Sequence, residues 1–509
     1  MSLGPRVRDY EIWGRLGQGG MSEVWLARHC LLSIPVIIKT LRASVAEADA
    51  SGVQQGDRDA NATARMLMEA RLMARVASGR VVRAIDAGIH ESTPYLVQEY
   101  VDGIDFAELD RRRRSALGVG LPLWFVAHAL EETCLALHAG HQTGVIHRDV
   151  KPSNLFGDPE VGVRLGDFGL AVAQEDGPQK EICGTLRFMA PEQLRGERID
   201  RSADVYGAAA TACDLRYGHP PFDDMASALG DLPPRFPPPH TPAEAYFQQL
   251  LRSMLSRDPS KRPRDAAECA RHFGLLYRAL SPRGTARQSV VCVSKNEFRL
   301  DDCRITLLVG DIAQAKADAI VSSANYELKM RSGVGDALRT AGGDGIEAEA
   351  IALGEQALGE CVATGAGKLS ARFVFHAVSA WNEASCVGRA MNRALLLADE
   401  HGVRTMALCA LGTGAARVSL ETCANSMMTS LRVHGALGGT RLRDVRVYLG
   451  DEAKLRVFRE VAEDALRGTD ESAPVDLGLP AEEGDVRGDA VTHIDAVVSH
   501  KSSGEIRER

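Results

Sequence analysis

The run His147-Arg148-Asp149-Val150-Lys151-Pro152-Ser153-Asn154, followed shortly by Asp167-Phe168-Gly169, gathers side chains that can do chemistry together. Moving a phosphoryl group to a hydroxyl asks for little covalent help from a protein. The nucleophile must be aligned and the charge on the phosphate oxygens neutralised, partly by metal ions. Asp149 is a carboxylate able to orient or deprotonate the hydroxyl. Asn154 and Asp167 offer hard oxygens of the kind Mg²⁺ prefers, a cation that takes few protein ligands and keeps positions for water and phosphate. Lys151 would stand beside the transferred phosphate as a point charge. A lone His-Arg-Asp tripeptide would carry little information; its spacing to Asp167-Phe168-Gly169 argues against coincidence.

These residues need a scaffold, and the pattern on either side supplies one. Alternating apolar residues from Tyr10 to Trp25 and from Val36 to Thr40 predict strands around a glycine-rich turn. In that turn stand Leu16, Gly17, Gln18, Gly19, Gly20, Met21, Ser22, Glu23 and Val24, where glycines let backbone amides close over phosphates that a Cβ would keep away. A polar insertion from Ser44 to Ala64 precedes a helical period from Arg65 to Val76. Further helical patterns run from Leu123 to Ala139, Tyr246 to Leu255 and Ala266 to Leu280. The prolines at 233, 234, 237, 238 and 239 predict an exposed loop. Ser281-Pro282-Arg283-Gly284-Thr285 breaks the pattern. Beyond it, buried strands at Arg304–Val309, Ala319–Ser323, Phe373–Val378 and Thr405–Leu411 alternate with helical stretches, which indicates an α/β layer fold.

The order of motifs from about residue 8 to 280 resembles the eukaryotic-type Ser/Thr protein kinases. Lys151-Pro152-Ser153-Asn154 favours these over tyrosine kinases. The resemblance implies ATP and Mg²⁺ as cofactors, with Asp149 and Lys151 catalytic and Asn154 and Asp167 on the metal. It places Lys39 on the α- and β-phosphates with Glu69 as its helical partner, and the backbone of Glu99 and Val101 on the adenine edge. Gln98 would be a polar gatekeeper. Asp204 would brace the catalytic loop, Arg262 would pair with Glu192, and Thr185 would bond Asp149 and Lys151. Two departures stand out. Ser22 occupies a glycine position, and Ile37 stands where alanine usually packs over adenine, an overpacking that costs ~1–3 kcal/mol unless the surroundings adjust. Between Asp167 and Thr185 there is no Ser, Thr or Tyr to be phosphorylated against Arg148. Glu175, Asp176 or Glu181 could supply that charge permanently. The run Arg111 to Arg114 reads as a solvated helix face, or less readily as a dock for an acidic substrate.

Val309-Gly310-Asp311-Ile312, Asp318 to Asn325, Phe373 to Val378 and Leu411-Gly412-Thr413-Gly414 resemble, in that order, a macro domain spanning roughly 290 to 467. The resemblance implies ADP-ribose as ligand. Asp311 would accept from the adenine amine beside Ile312, and Asn325 would meet the distal ribose. The loops holding Gly333, Val334, Gly412, Thr413 and Gly414 would wrap the diphosphate. Gly335, followed by Asp336, departs from the hydrolytic pattern and favours binding over ADP-ribose removal. Val418 stands near where an aromatic often stacks on the ligand, so affinity would be weakened.

Composition agrees with a multidomain chain. At 509 residues it exceeds one core, and a net charge of −8 calls for neither nucleic acid nor an anionic membrane. Its 11 cysteines form no CxxC pair, as suits reduced thiols. The start lacks the apolar run of a signal peptide, and no apolar stretch approaches the ~20 residues of a membrane span. A cytoplasmic protein acting on protein substrates, with an ADP-ribosylated protein as a further partner, is expected. The expected architecture is a bilobal α+β kinase fold (8–280), a linker (281–289), a three-layer α/β/α macro domain (290–467) and a disordered tail (468–509). Two other readings are a pseudokinase scaffold, opposed by Lys39, Asp149, Asn154 and Asp167, and a kinase joined to an ADP-ribosyl hydrolase, opposed by Gly335.

Overall fold

The computed structural model describes residues 6–18, 22–41, 55–91, 93–158, 162–168, 172–173, 186–281, 290–381 and 384–467. The expected tail, most of the linker, Gly19, Gly20, Met21, Gly169, Glu175, Asp176, Glu181 and Thr185 lie outside these residues. The contacts divide the chain into two units. One comprises residues 1–119, 156–169 and 288–469, and the other residues 120–155, 170–287 and 470–509.

The first unit holds two large sheets. In the six-stranded sheet the spatial order is Arg6–Val7, Tyr10–Gln18, Ser22–His29, Pro35–Leu41, Thr93–Glu99 and Ala84–His90. Strand alternation decides which side chains serve the site. Val36, Ile38 and Thr40 are buried, the first two in a core with Ala27, Tyr95 and Val97. Ile37 and Lys39 therefore face the opposite side. The helix Gln55–Arg75 begins ten residues ahead of the expected start at Arg65. Polarity had marked 55–64 as insertion, but Ala60, Ala62 and Ala64 favour helix whatever the neighbours' charge.

The second sheet of this unit has eight strands, in the order Val290–Ser294, Glu297–Leu300, Cys303–Val309, Asp444–Leu449, Thr405–Cys409, Ala319–Ser323, Phe373–Ala377 and Cys361–Gly365. The five strands from Cys303–Val309 to Phe373–Ala377 run parallel. Their near-continuous apolar character follows from burial on both faces. The helices Gly333–Gly342, Gly345–Ala352, Val387–Glu400, Leu420–Leu437 and Glu452–Arg467 belong to this α/β region. Asp311, Asn325 and Gly412 each follow the carboxyl end of a parallel strand, where ligands of open α/β sheets bind.

The second unit is mainly helical, built on Leu123–Gln142, Ser202–Tyr217, Pro242–Met254 and Ala266–Leu280. Short strands at Val145–Ile146 and Val172–Ala173 pair antiparallel, and the catalytic loop leaves the first of them. The proline-rich stretch from 231 to 240 is irregular. No helix among the described residues is long and apolar enough to cross a membrane.

Candidate active site and ligand loops

In the second unit the loop 147–154 is held from beneath by one buried carboxylate. Asp204 Oδ2 accepts from the His147 amide at 2.9 Å, and Oδ1 from the Arg148 amide at 2.7 Å. His141 Nε2 stands 2.8 Å from the same Oδ2. Burial alone would raise the Asp204 carboxyl, but the His141 bond and the surrounding donors hold it below the ordinary carboxylate range. Gln193 Nε2 donates to the Arg148 carbonyl, and Thr211 Oγ1 to the Val150 carbonyl. These bonds fix Arg148 at φ 69, a left-handed conformation that a non-glycine residue keeps only when its surroundings over-determine it. Within the loop, Lys151 Nζ lies 2.6 Å from Asp149 Oδ2. Asn154 Nδ2 donates to the Asp149 carbonyl at 2.8 Å and to its carboxylate at 3.3 Å. Farther on, Arg262 meets both oxygens of Glu192 at 2.6 and 2.7 Å, a buried bidentate pair.

In the first unit Lys39 Nζ donates to Asp167 Oδ1 at 2.7 Å and to Glu69 Oε1 at 3.1 Å. Burial disfavours the Lys39 ammonium, yet the Asp167 and Glu69 charges outweigh it and raise its pKa. Burial also raises the Glu69 carboxyl, with Lys39 pulling it back. With two carboxylates on one ammonium, the ionised pair is the form the geometry holds. Asp167 sits at φ 58, a second strained backbone position. Gln98 is buried, its Nε2 3.2 Å from Met73 Sδ. Glu99 ends its strand opposite Val36, and its carboxylate is taken by Arg83 and Arg164 at 3.1 Å each. Val101 is buried. Among the described residues of the glycine-rich turn, Gly17 pairs with Val24 and Gln18 with Glu23.

The α/β region presents its own loops. Asp311 is exposed, and its Oδ1 accepts from the Ala313 amide at 2.9 Å, so the other oxygen is left for a donor such as an exocyclic amine. Ile312 beside it is buried. Asn325 is engaged at both ends of its amide, by the Lys329 N–H at 3.0 Å and the Lys329 carbonyl at 3.3 Å. Gly333 opens a helix at φ 55 with nothing near its missing Cβ, and Val334 packs on the core. A Cβ on Gly335 would stand 3.3 Å from Met330 Cα, a tight approach that a larger residue would meet only if the Met330 backbone gave by a few tenths of an ångström. Asp336 is paired with Arg339 at 2.7 Å. Gly412 donates its N–H to Ser323 Oγ at 3.1 Å, Thr413 Oγ1 bonds the Ala410 carbonyl, and Gly414 has open space around it.

Val418 is 6% exposed in the apolar core, and its N–H donates to the Gly412 carbonyl at 3.1 Å. The reading of Arg111 to Arg114 as a solvated face holds for Arg111, which is exposed, and is corrected for the three arginines after it. Arg113 is 1% exposed and donates to the carbonyls of Leu437 and Gly438. Arg112 bonds Glu400 through two nitrogens at 2.7 and 3.1 Å, and Arg114 pairs with Asp110.

The model of the protein kinase domain matches residues 10–273, over half of the chain. The chain belongs to the protein kinase family. Among related kinases, the serine/threonine-protein kinase PknB of Mycobacterium leprae is 31% identical over 289 residues, covering 53% of this chain and 43% of that protein. PknB of Mycobacterium tuberculosis is 32% identical over 274 residues, 51% of this chain and 41% of its own length. A probable serine/threonine-protein kinase of Corynebacterium efficiens, CE0033, is 31% identical over 294 residues, 53% and 41%. The chain thus spans about two fifths of the length of these curated relatives. The model of the macro domain matches residues 321–427, so this kinase carries a C-terminal macro domain.

Proposed function

We propose that the chain transfers the γ-phosphoryl group of ATP to serine or threonine hydroxyls of proteins, and that its macro domain binds ADP-ribose, free or attached to a protein. The observation carrying the first half is the loop in which Asp149, Lys151 and Asn154 converge within hydrogen-bond reach on backbone fixed by Asp204. Asp149 would accept the hydroxyl proton as the oxygen attacks, and Lys151 would balance charge on the transferred group. Asn154 spends its amide hydrogens on Asp149, which leaves its oxygen as a hard donor. With the Asp167 carboxylate it would hold Mg²⁺, whose charge offsets that of the phosphates. Lys39, kept cationic by two carboxylates, would grip the α- and β-phosphates, and Glu99 and Val101 would read the adenine edge through their backbones. The relatives' names as serine/threonine kinases support the acceptor class. Protein substrates and a cytoplasmic location belong to the same reading.

Binding rather than hydrolysis is favoured for the macro domain, because Gly335 departs from the hydrolytic pattern and the Asp336 after it is paired with Arg339 at 2.7 Å. Purified chain with labelled ATP and a basic protein substrate should label serine and threonine, and Asp149→Asn should lower the rate at least a hundredfold; equal rates would sink the kinase reading. Calorimetry should show ADP-ribose binding that Asp311→Ala weakens. Release of ADP-ribose from a modified protein would instead establish hydrolysis.

A further inference from the structure

Within the first unit the macro domain lies against the six-stranded sheet, and the contact falls on the residues assigned to adenine. Leu358, 3% exposed, reaches Gly14, whose absent Cβ would stand 3.6 Å from its Cδ1. Gly14 is two residues before Leu16. A single buried apolar cluster unites Leu26 of the sheet with Leu328, Leu358, Val378 and Cys386 of the macro domain. Packed on it are Leu16 and Ile37, assigned to the nucleotide side of the sheet, and Tyr100, which lies between the adenine-reading Glu99 and Val101. A purine and this cluster need the same apolar surface.

Charged residues of the kinase region anchor the contact at helix ends, each with the sign that the helix dipole favours. Asp102, just past the adenine-reading Val101, accepts from the amides of Gly388 and Arg389 at 2.9 and 3.0 Å. These open the helix Val387–Glu400, which has no side-chain cap of its own. Arg113 donates to the carbonyls that close the helix Leu420–Leu437. Between them Glu108 takes Arg393 through both oxygens at 2.9 and 2.7 Å. Two capped termini and a two-pronged ion pair define one register of docking.

The same contact engages a ligand loop. Asn325, assigned to the distal ribose, is folded onto Lys329, and the loop between them carries Leu328, fully buried in the shared cluster at φ 58. A leucine keeps that left-handed conformation only while its surroundings hold it. Freeing Asn325 for a ribose disturbs the loop that seats Leu328.

We propose that this is a closed state of the kinase, in which the macro domain covers the adenine face of the sheet, and that ADP-ribose on the macro domain releases it and admits ATP. The inference rests on the ADP-ribose reading above. A docked state populated about 90–99% of the time weakens apparent ATP affinity about 10–100-fold. The test titrates the full chain with a fluorescent ATP analogue. Leu358→Asp, which puts a charge into the apolar cluster, and Glu108→Arg, which sets like charges against Arg393, should each tighten analogue binding at least tenfold. Combining Glu108→Arg with Arg393→Glu should return affinity toward the wild-type value. Unchanged affinity in both single variants overturns the proposal. ADP-ribose should tighten analogue binding in the wild type and leave Leu358→Asp unaffected. Heat of ADP-ribose binding without that tightening also overturns it. If neither protein gives any heat with ADP-ribose, the ADP-ribose reading itself fails, and the single variants still decide whether the macro domain closes the adenine face.

Discussion

The imidazole of His376 shows how one buried residue sets a pH range. It is fully buried in the strand Phe373–Ala377, with Nε2 2.9 Å from Thr364 Oγ1. Burial lowers its pKa to about 4. An unfolded chain protonates the same ring near pH ~6.5, so between these values the unfolded state binds a proton that the folded state refuses. Macro-domain stability is therefore full above pH ~6.5 and declines toward pH 4 by about 2–3 kcal/mol. The urea midpoint of the macro-domain transition should fall accordingly between pH 7 and 4.5, and His376→Gln should flatten that slope. An equal slope in the variant would place the titration elsewhere. Glu192 and Arg262 follow a different logic. Each is buried and they hold each other through two hydrogen bonds at 2.6 and 2.7 Å, which makes them a fixed brace.

At the scale of elements, helix ends carry the most information. The helix Val387–Glu400 starts at Cys386 without a side-chain cap, and Asp102 supplies the acceptor that its own sequence lacks. Burial lifts the Asp102 carboxyl to about 6, against the pull of the Arg389 and Gly388 amides. At neutral pH the carboxylate still carries its charge, and its two hydrogen bonds to the amides are the part of the contact that a neutral acceptor can keep. Asp102→Asn, which keeps an acceptor oxygen, should preserve docking, whereas Asp102→Ala should weaken it by about 0.5–2 kcal/mol, the usual value of an N-cap. Hydrogen exchange at Gly388 and Arg389 reads the difference directly; equal exchange in Asn and Ala variants would show that the amides find another partner. This contact also marks the boundary of what the sequence could disclose. Periodicity places strands such as Ala319–Ser323 and helices such as Ala266–Leu280 at their observed bounds, because each records its own burial. The motifs around Asp149, Lys39 and Asp311 were equally legible, since their chemistry demands particular residue types in order. Arg113 and Leu358 were not. A local pattern says that a side chain is basic or apolar, but not that a domain some 300 residues away will cover it. The missing cap before Val387 was the one local trace, an orphaned helix start awaiting a distant partner.

For the molecule as a whole, docking turns two nucleotide sites into one equilibrium. ATP and ADP-ribose each favour the released state, so each must tighten the other, and by the same factor, because coupling free energy is reciprocal. ADP-ribose also contains an adenosine diphosphate moiety and could compete for the kinase's own adenine site, which gives the opposite sign. The sign therefore separates regulation through the macro domain from simple competition. A saturating non-hydrolysable ATP analogue with Mg²⁺ should tighten ADP-ribose binding to the full chain about tenfold or more, equivalent to at least ~1.4 kcal/mol of coupling. In Leu358→Asp, where the released state already prevails, the coupling should vanish while both ligands still bind. Weakening of ADP-ribose by the analogue would mean that both occupy the kinase cleft, and the macro domain would then be a passenger in catalysis rather than its gate.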